Sequence, residues 1–189
     1  MFSHPAQNVA AFGLTEGMRV ADFGTGSGAY ALPMAERVGS TGRVYAIDIQ
    51  NELLSRLDKL AREHRRGNIE IIWGNVEKQG GSKIGNQIID LVLIANTLFQ
   101  SDAKYTLALE AKRILVPKGR VVIIDWQDSY GGLGPPAELV VKPEQAKKIF
   151  EQAGFKHQTD FPPGTHHYGM ILNKEWTLSK FLSLPSLFS

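Results

Sequence analysis

The chain has 189 residues, 43% of them hydrophobic, so it can form one well-buried core but not two substantial domains. Its 21 basic and 19 acidic residues give a formal net charge of +2, a balance that neither requires nor excludes nucleic acid as a partner. The absence of cysteine excludes disulfides, thiolate metal sites and cysteine nucleophiles.

Short apolar runs alternate along the chain with longer segments of helical period, a pattern typical of a parallel sheet with crossover helices. Strands are predicted at 18–23, 43–48, 69–73, 88–95 and 119–125, and two closing strands near 155–160 and 167–173. Helices are predicted at 29–38, 51–65, 102–114 and from Pro143 to about residue 153. The chain is therefore predicted to form an α/β domain.

The most informative stretch is the end of the first predicted strand and the turn after it, Asp22-Phe-Gly-Thr-Gly-Ser-Gly28. Its glycines let the backbone turn tightly and approach a ligand where a Cβ would collide. The following helix would point its free N–H groups at that ligand. Asp48 closes the second strand and suits a carboxylate that accepts hydrogen bonds from two ribose hydroxyls. This spacing predicts a site for a nucleotide-type cofactor.

Glycine spacing alone does not choose the cofactor, because with Ala29 the turn also satisfies a loose dinucleotide pattern. Asp22 favours a cofactor with an ammonium group, since its negative charge would repel a pyrophosphate. The turn resembles motif I of the class I S-adenosylmethionine-dependent methyltransferases, and residues 44–48 resemble their ribose-binding second strand.

The resemblance to these methyltransferases extends in order over residues 5–173. Residues 69–77 resemble the third strand and the turn that holds the adenine ring, with Asn75 where the family usually has Asp. Residues 88–96 resemble the fourth strand, whose end lies next to the transferring methyl, and residues 115–125 resemble a helix exit, a turn and the fifth strand.

The resemblance implies a doubly wound, Rossmann-like α/β fold with a seven-stranded sheet, mostly parallel, with one antiparallel strand near the C-terminus. It implies S-adenosyl-L-methionine as the cofactor and no metal. The implied cofactor-binding residues are Asp22, Gly24, Thr25, Gly26, Ser27, Gly28, Asp48, Ile49, Asn75, Val76 and Asn96.

We expect one methyltransferase domain over residues 1–174 and an apolar tail over 175–189 that either packs on the flank of the sheet or meets a partner chain. The first residues show no signal-peptide pattern, and no apolar run is long enough to span a bilayer. A cytoplasmic protein without a membrane span is therefore expected.

Ligands of open parallel sheets lie at the carboxyl ends of the strands, so the acceptor of the methyl group is expected beyond the fifth strand. Asp125 ends that strand, and the glycine- and proline-rich loop 127–136 brings Tyr130 and Leu133. His166 is a further candidate. Neighbouring side chains of a strand point to opposite faces, so His166 and His167 do not predict a paired metal site. Either one of the two histidines is a general base, or both have a surface or capping role.

A small-molecule acceptor is favoured, because Asn96-Thr-Leu-Phe99 replaces the Asn-Pro-Pro-Tyr or Asp-Pro-Pro-Tyr motif that marks methylation of base amino groups. Three alternatives remain open. RNA or protein could be the acceptor, since the glycine turn and residues 42–46 also resemble transferases acting on tRNA and on damaged protein. A NAD(P)-dependent reductase is a second alternative, although no tyrosine precedes a lysine by four positions. A non-catalytic cofactor-binding module is the third.

Overall fold

The computed structural model describes residues 4–175, and that part of the chain contains seven β-strands and five α-helices. The strands are β1 (Arg19–Phe23), β2 (Arg43–Asp48), β3 (Ile69–Trp73), β4 (Ile89–Ala95), β5 (Leu115–Trp126), β6 (Phe155–Gly164) and β7 (His167–Lys174). The helices are α1 (Pro5–Ala11), α2 (Ala31–Val38), α3 (Asn51–Glu63), α4 (Lys104–Ile114) and α5 (Pro143–Gln152). Short 3₁₀ turns lie at Leu98–Gln100 and Ala137–Leu139.

All seven strands belong to one sheet, in the order β3-β2-β1-β4-β5-β7-β6. Neighbouring strands are parallel from β3 across to β5, whereas β7 is antiparallel to both β5 and β6. The strand order reverses between β1 and β4, and open sheets of this kind bind ligands at such a switch point. The predicted doubly wound, Rossmann-like fold with one antiparallel strand near the C-terminus is confirmed.

The core consists of two apolar clusters, one on each face of the sheet. Leu91 and Val122 face the cluster covered by α1, α2 and α3, whereas their neighbours Val92 and Val121 face the cluster covered by α4 and α5. This division follows from the alternation of side chains along a strand. Because helices cover both faces, the central strands are apolar at nearly every position, as the sequence shows.

Most elements lie within two residues of their predicted bounds. Among them, α2 begins at Ala31 rather than at 29, because the preceding residues form turns in which Gly28 N donates to Thr25 O at 3.0 Å. Two strands differ by more. β6 continues past its predicted end at 160 to Gly164, through two prolines that an edge strand tolerates.

The second of these differences is the start of β5, which was predicted at 119 and lies at Leu115. Ile89 of β4 pairs with Leu115, whereas Leu91 pairs with Arg120, so the residues between Leu115 and Arg120 form a bulge in β5. The predicted helix exit and turn are therefore an irregular beginning of the strand itself.

The sequence pattern did not predict α1, whose seven residues are too few to form a stable helix without tertiary contacts. Asn8 Nδ2 donates to Pro163 O at 3.1 Å, and Arg120 Nη2 donates to Phe12 O at 2.8 Å just beyond the helix. These contacts join α1 to residues far away in the sequence. The local signal is Pro5 in the first turn.

Within residues 4–175, no helix is long and apolar enough to cross a membrane. The last described residue is Glu175, whose N–H donates to Gly154 O at 3.0 Å. The predicted apolar tail, 175–189, lies beyond this residue and so outside the described part of the chain.

Candidate active site

An open cleft of about 310 Å³ lies at the carboxyl ends of β1, β2, β3 and β4. It is positioned at the switch point of the strand order, where this fold class binds its ligands. The residues that line it are Gly24, Gly26, Ile47, Asp48, Ile49, Gln50, Leu53, Gly74, Asn75, Val76, Glu77, Thr97, Gln100 and Ser101.

Asp48, the last residue of β2, joins two walls of the cleft. Its Oδ2 accepts the Gly26 N–H at 2.9 Å, and its Oδ1 accepts the Gln50 N–H at 2.9 Å. A carboxylate has about four acceptor positions, so lone pairs remain for a ligand after these two bonds. Asp48 thus fixes the glycine turn and can still accept hydrogen bonds from hydroxyl groups in the cleft.

The glycines of the turn have different surroundings. A Cβ on Gly26, which has φ +54°, would meet no protein atom within 4 Å, so this residue presents open backbone to the cleft. A Cβ on Gly28 would lie 2.2 Å from Leu57 Cδ1, so that glycine is required for the packing of α3. Gly26 therefore serves the approach of a ligand, and Gly28 serves the fold.

Asp22 does not line the cleft. Its buried side chain lies behind the glycine turn, where Thr25 Oγ1 donates to Oδ2 at 2.7 Å. Burial raises the pKa of Asp22 to about 7, the hydrogen bond from Thr25 opposes the rise, and the negative charge of Asp48 adds to it. The ionised and neutral forms of Asp22 are therefore both accessible near neutral pH.

Asn75 and Ile49 form the outer walls of the cleft. Asn75 Oδ1 accepts the Glu77 N–H at 2.9 Å, which leaves the amide donors of Asn75 as its second polar group. Ile49 is 60% exposed, and Trp73 Nε1 donates to its carbonyl at 3.0 Å. The arrangement offers an exposed apolar surface beside an amide, which suits a flat heteroaromatic ring.

The end of β4 closes the cleft on the side of β5. Thr97 Oγ1 lies 3.1 Å from Phe23 O and 3.0 Å from Ala95 O, so it links the ends of β1 and β4. Asn96 has φ +53°, and its buried Oδ1 has no hydrogen-bond partner among the described residues. An unpartnered acceptor at this edge suits a ligand that brings a donor.

Asp125 has a different place from the one predicted. It is fully buried rather than part of a wall, with Oδ2 accepting the Leu98 N–H and Oδ1 accepting the Trp126 N–H, both at 2.8 Å. Burial raises the pKa of Asp125 to about 6, against the effect of the N–H groups that it accepts. Its carboxyl holds the turn after β4 in place, which the position at a strand end did not reveal.

The other predicted acceptor residues lie together beyond the end of β5. Gln127 N donates to His166 O at 2.9 Å, which brings the turn between β6 and β7 against the loop after β5. His166 and Tyr130 stack with ring centroids 3.8 Å apart, while Leu133 is 63% exposed. This group lies outside the 310 Å³ cleft but at the same edge of the sheet.

The structure divides the predicted cofactor residues into two sets. Those that line the cleft are Gly24, Gly26, Asp48, Ile49, Asn75 and Val76. Those that do not line it are Asp22, Thr25, Ser27, Gly28 and Asn96. The residues that line the cleft but were not predicted are Ile47, Gln50, Leu53, Gly74, Glu77, Thr97, Gln100 and Ser101. Ile47, Gln50, Gly74, Glu77 and Thr97 are direct neighbours of predicted site residues, which is a usable signal, whereas Leu53, Gln100 and Ser101 offer none.

The residues present fit S-adenosylmethionine by the chemistry of their groups. Asp48 offers a charged acceptor for a diol, Asn75 and Ile49 suit an adenine ring, and Gly26 leaves room for close approach of a ligand. Among residues 4–175 there is no group of three or more histidine, aspartate or glutamate side chains that could hold a metal ion.

The segment between β3 and β4 is anchored by Glu110 of α4. The carboxylate of Glu110 accepts the N–H groups of Gly80 at 2.8 Å and Ser82 at 3.1 Å, and it is paired with Arg113 at 2.7 Å. Burial alone would raise the pKa of Glu110, but the hydrogen bonds from Arg113, Ser82 and Gly80 lower it to about 2. This network holds the segment that begins with the cleft residue Asn75.

A model of the methyltransferase domain family matches residues 14–175. A demethylmenaquinone methyltransferase of Lactococcus lactis is 29% identical over 120 residues, which are 64% of this chain and 46% of that protein. The aklanonic acid methyltransferase DauC of a Streptomyces species is 37% identical over 106 residues, which are 56% of this chain and 46% of that protein. The chain thus spans about half the length of the curated relatives it matches.

Solved structures show the same fold over most of the chain. A S-adenosylmethionine-dependent methyltransferase from Aquifex aeolicus has a TM-score of 0.82 and 29% identity, with 90% of this chain and 89% of that chain covered. The [4+2]-cyclase SpnF has a TM-score of 0.76 at 14% identity, with 89% and 80% covered, so that likeness concerns the fold alone.

We predict that Glu110→Gln lowers the free energy of unfolding by about 2–3 kcal/mol at neutral pH, because it leaves the Arg113 charge without a carboxylate. Urea denaturation measures the loss. The matched control is Glu63→Gln, which removes an exposed ion pair with Lys59 and should cost less than about 0.5 kcal/mol. Equal losses in the two variants would contradict an anchoring role for Glu110.

We predict that Asp22→Asn changes how stability depends on pH. The folded-state pKa of Asp22 is about 7 and the unfolded value is 3.8, so between these pH values the folded state binds more protons. Asp22 therefore makes the free energy of unfolding fall as pH rises through this range, and the variant lacks that contribution. Urea denaturation of both proteins across this pH range should show that the free energy of unfolding of the variant rises relative to that of wild type as the pH increases. Parallel pH profiles of the two proteins would contradict the prediction.

Proposed function

Because this chain belongs to the methyltransferase domain family, we propose that it is a S-adenosylmethionine-dependent methyltransferase that acts on a small molecule. One observation carries the proposal. Asp48 at the end of β2 holds the open glycine turn through Gly26 and keeps free lone pairs toward a cleft at the switch point of the sheet. A methyltransferase needs this combination to hold the nucleoside part of its donor.

In the proposed reaction, S-adenosylmethionine supplies an activated methyl group on a sulfonium. The residues of this chain bind and orient rather than activate. Asp48 accepts hydrogen bonds from the ribose hydroxyls, and Asn75 with Val76 contacts the adenine ring. Asp22 lies behind the glycine turn, and Asn96 lies at the end of β4. An ammonium group bound nearby would favour the ionised form of Asp22. Gly24, Thr25, Ser27 and Gly28 shape the turn.

We place the small-molecule acceptor beyond β5, where Tyr130 and Leu133 are 47% and 63% exposed. Exposed apolar side chains beside a cleft suit a ring or a hydrocarbon that needs cover from water. Support comes from the relatives named for acceptors of low molecular weight, demethylmenaquinone and aklanonic acid. Asp125 contributes by holding the turn after β4 rather than by contact.

Calorimetric titration tests the cofactor assignment. Wild type should bind S-adenosylhomocysteine and not NAD, and Asp48→Asn should weaken that binding by about 1.5–3 kcal/mol, because the charged acceptor of two hydroxyls is lost. Binding of NAD without S-adenosylhomocysteine would indicate a reductase instead.

Methyl transfer from labelled S-adenosylmethionine into a metabolite extract, an RNA pool and a protein pool then tests the acceptor class. Label in the metabolite extract supports the proposal, and label in RNA or protein replaces it. Binding without transfer into any pool would indicate a cofactor-binding module, a role that the fold permits because fold does not fix reaction.

We predict that Gly26→Ala abolishes measurable binding of S-adenosylhomocysteine while the domain stays folded. The new Cβ meets no protein atom within 4 Å, so its cost to the fold is only the positive φ, about 1 kcal/mol. It would stand where the ligand approaches. Gly28→Ala is the comparison, because its Cβ would collide with Leu57 and should lower stability instead. Unchanged affinity in Gly26→Ala would place the ligand elsewhere.

A further inference from the structure

His166 and Asp128 form a hydrogen-bonded pair beyond the end of β5. His166 Nδ1 lies 3.0 Å from Asp128 Oδ1 and 3.3 Å from Oδ2. The two residues are 38 positions apart in the sequence, so the pair exists only because β5 and β7 are neighbours in the sheet. The His166 side chain is 17% exposed and that of Asp128 is 44% exposed. The imidazole is therefore sheltered but still accessible.

The pairing sets the chemistry of the imidazole. An ionised carboxylate only accepts hydrogen bonds, so Nδ1 of His166 must carry the proton that is shared with Asp128. In the neutral ring the lone pair is then on Nε2, which has no hydrogen-bond partner among residues 4–175. Nε2 is therefore the ring nitrogen that can accept a proton from a ligand.

Tyr130 fixes the plane of the His166 ring. Their centroids are 3.8 Å apart with an interplanar angle of 23°. The ring thus has two constraints, one at an edge from Asp128 and one on a face from Tyr130. Tyr130 is not buried by this stacking, since 47% of its surface stays exposed beside Leu133. An aromatic and an aliphatic side chain border the base, which favours an acceptor with a flat apolar ring.

The pair lies at the same edge as the cleft. His167 pairs with Trp126, the last residue of β5, so His166 extends just beyond the carboxyl end of that strand. β5 lies between β7 and β4, and Thr97 after β4 lines the cleft. Adjacent strands are about 4.8 Å apart, which puts the ends of β4 and β7 roughly 10 Å apart.

We propose that His166 is the general base that removes the proton from an acidic hydroxyl of the acceptor, with Asp128 as its positioning residue. This inference rests on the proposed methyltransferase function. The hydroxyl proton passes to His166 Nε2, and an oxygen lone pair forms a bond to the methyl carbon. The carbon–sulfur bond breaks, its electron pair stays on sulfur, and the imidazolium later gives its proton to water.

Other ionisable groups lie on the segments around this imidazole. His167 follows His166 and begins β7, and burial and the proximity of His166 lower the pKa of His167 against the effect of Asp128. The Lys142 ammonium, just before α5, donates to the carbonyl of Gln127 at 2.9 Å. His4 borders the cavity that Thr165 also lines. Asp128, unlike these three groups, is an acid, and it is the one that is hydrogen-bonded to His166.

The first test uses 4-nitrocatechol as an acidic, coloured probe with protein saturated with S-adenosylhomocysteine. In wild type the bound probe should ionise at a pH about one unit lower than in His166→Gln, because the imidazole takes its proton. Asp128→Asn should lose part of this shift. His157→Gln is the matched control, since His157 forms a similar pair with Asp160 on β6 and should behave as wild type.

The second test follows the imidazole of His166 by NMR without acceptor. Wild type should show the neutral ring protonated at Nδ1, and Asp128→Asn should shift the tautomer population toward Nε2–H. This result tests the pairing by which Asp128 positions the ring, and the ionisation of the bound probe separates a general base from a merely structural histidine. His166→Gln should retain S-adenosylhomocysteine affinity within a few-fold, which also shows that the variant is folded.

The outcomes are separable. No binding of S-adenosylhomocysteine by wild type would contradict the proposed function. Normal binding together with identical probe ionisation in wild type and His166→Gln, or with no saturable binding of the probe, would overturn the role of His166. Where 4-nitrocatechol is methylated, kcat should fall at least about 100-fold in His166→Gln, the usual effect of losing a general base.

Discussion

Irregular backbone at the carboxyl edge of the sheet needs hydrogen-bond acceptors, and in this chain three carboxylates provide them. Asp48 holds the glycine turn, Asp125 holds the turn after β4, and Glu110 holds the segment between β3 and β4. Backbone N–H groups in such segments have no partner from a helix or a ladder, and burying them unpaired is costly. The cleft therefore keeps its shape through contacts within the protein, and a ligand need not organise it.

The carboxylates at this edge, together with Asp22 behind the glycine turn, set the electrostatics of the site in two ways. Arg113 keeps Glu110 ionised, whereas burial raises the pKa of Asp22 and Asp125. At slightly acidic pH the edge therefore carries less negative charge than its aspartates suggest. A cation brought near Asp22 would favour its ionised form, so the protonation of this residue is coupled to a positively charged ligand. A dinucleotide would not gain from that coupling, because the negative charge of its pyrophosphate would disfavour the ionised form of Asp22.

Local sequence was sufficient to predict the order of the strands and the glycine turn, because apolar periodicity and glycine spacing are short-range signals. It was not sufficient where residues distant in sequence decide the structure. α1 depends on Asn8 and Arg120, and the start of β5 depends on a pairing register with β4. Asp125 was placed at the correct strand end, but its direction into the core follows from the N–H groups around it rather than from its position in the sequence.

The two halves of the proposed site, one for the cofactor and one for the acceptor, also differ in how far the sequence predicts them. On the proposed cofactor side, Gly26 and Asp48 are joined across β1 and β2, two adjacent strands that the sequence pattern predicts. The proposed acceptor side joins Asp128 and Tyr130 to His166, and this depends on how β7 returns along β5. The loop after β5 and the turn before β7 can change without disturbing the hydrogen bonds of Asp48, because no residue is shared between them. A common fold does not fix the reaction, and SpnF, which has the same fold, is named for a cyclase reaction.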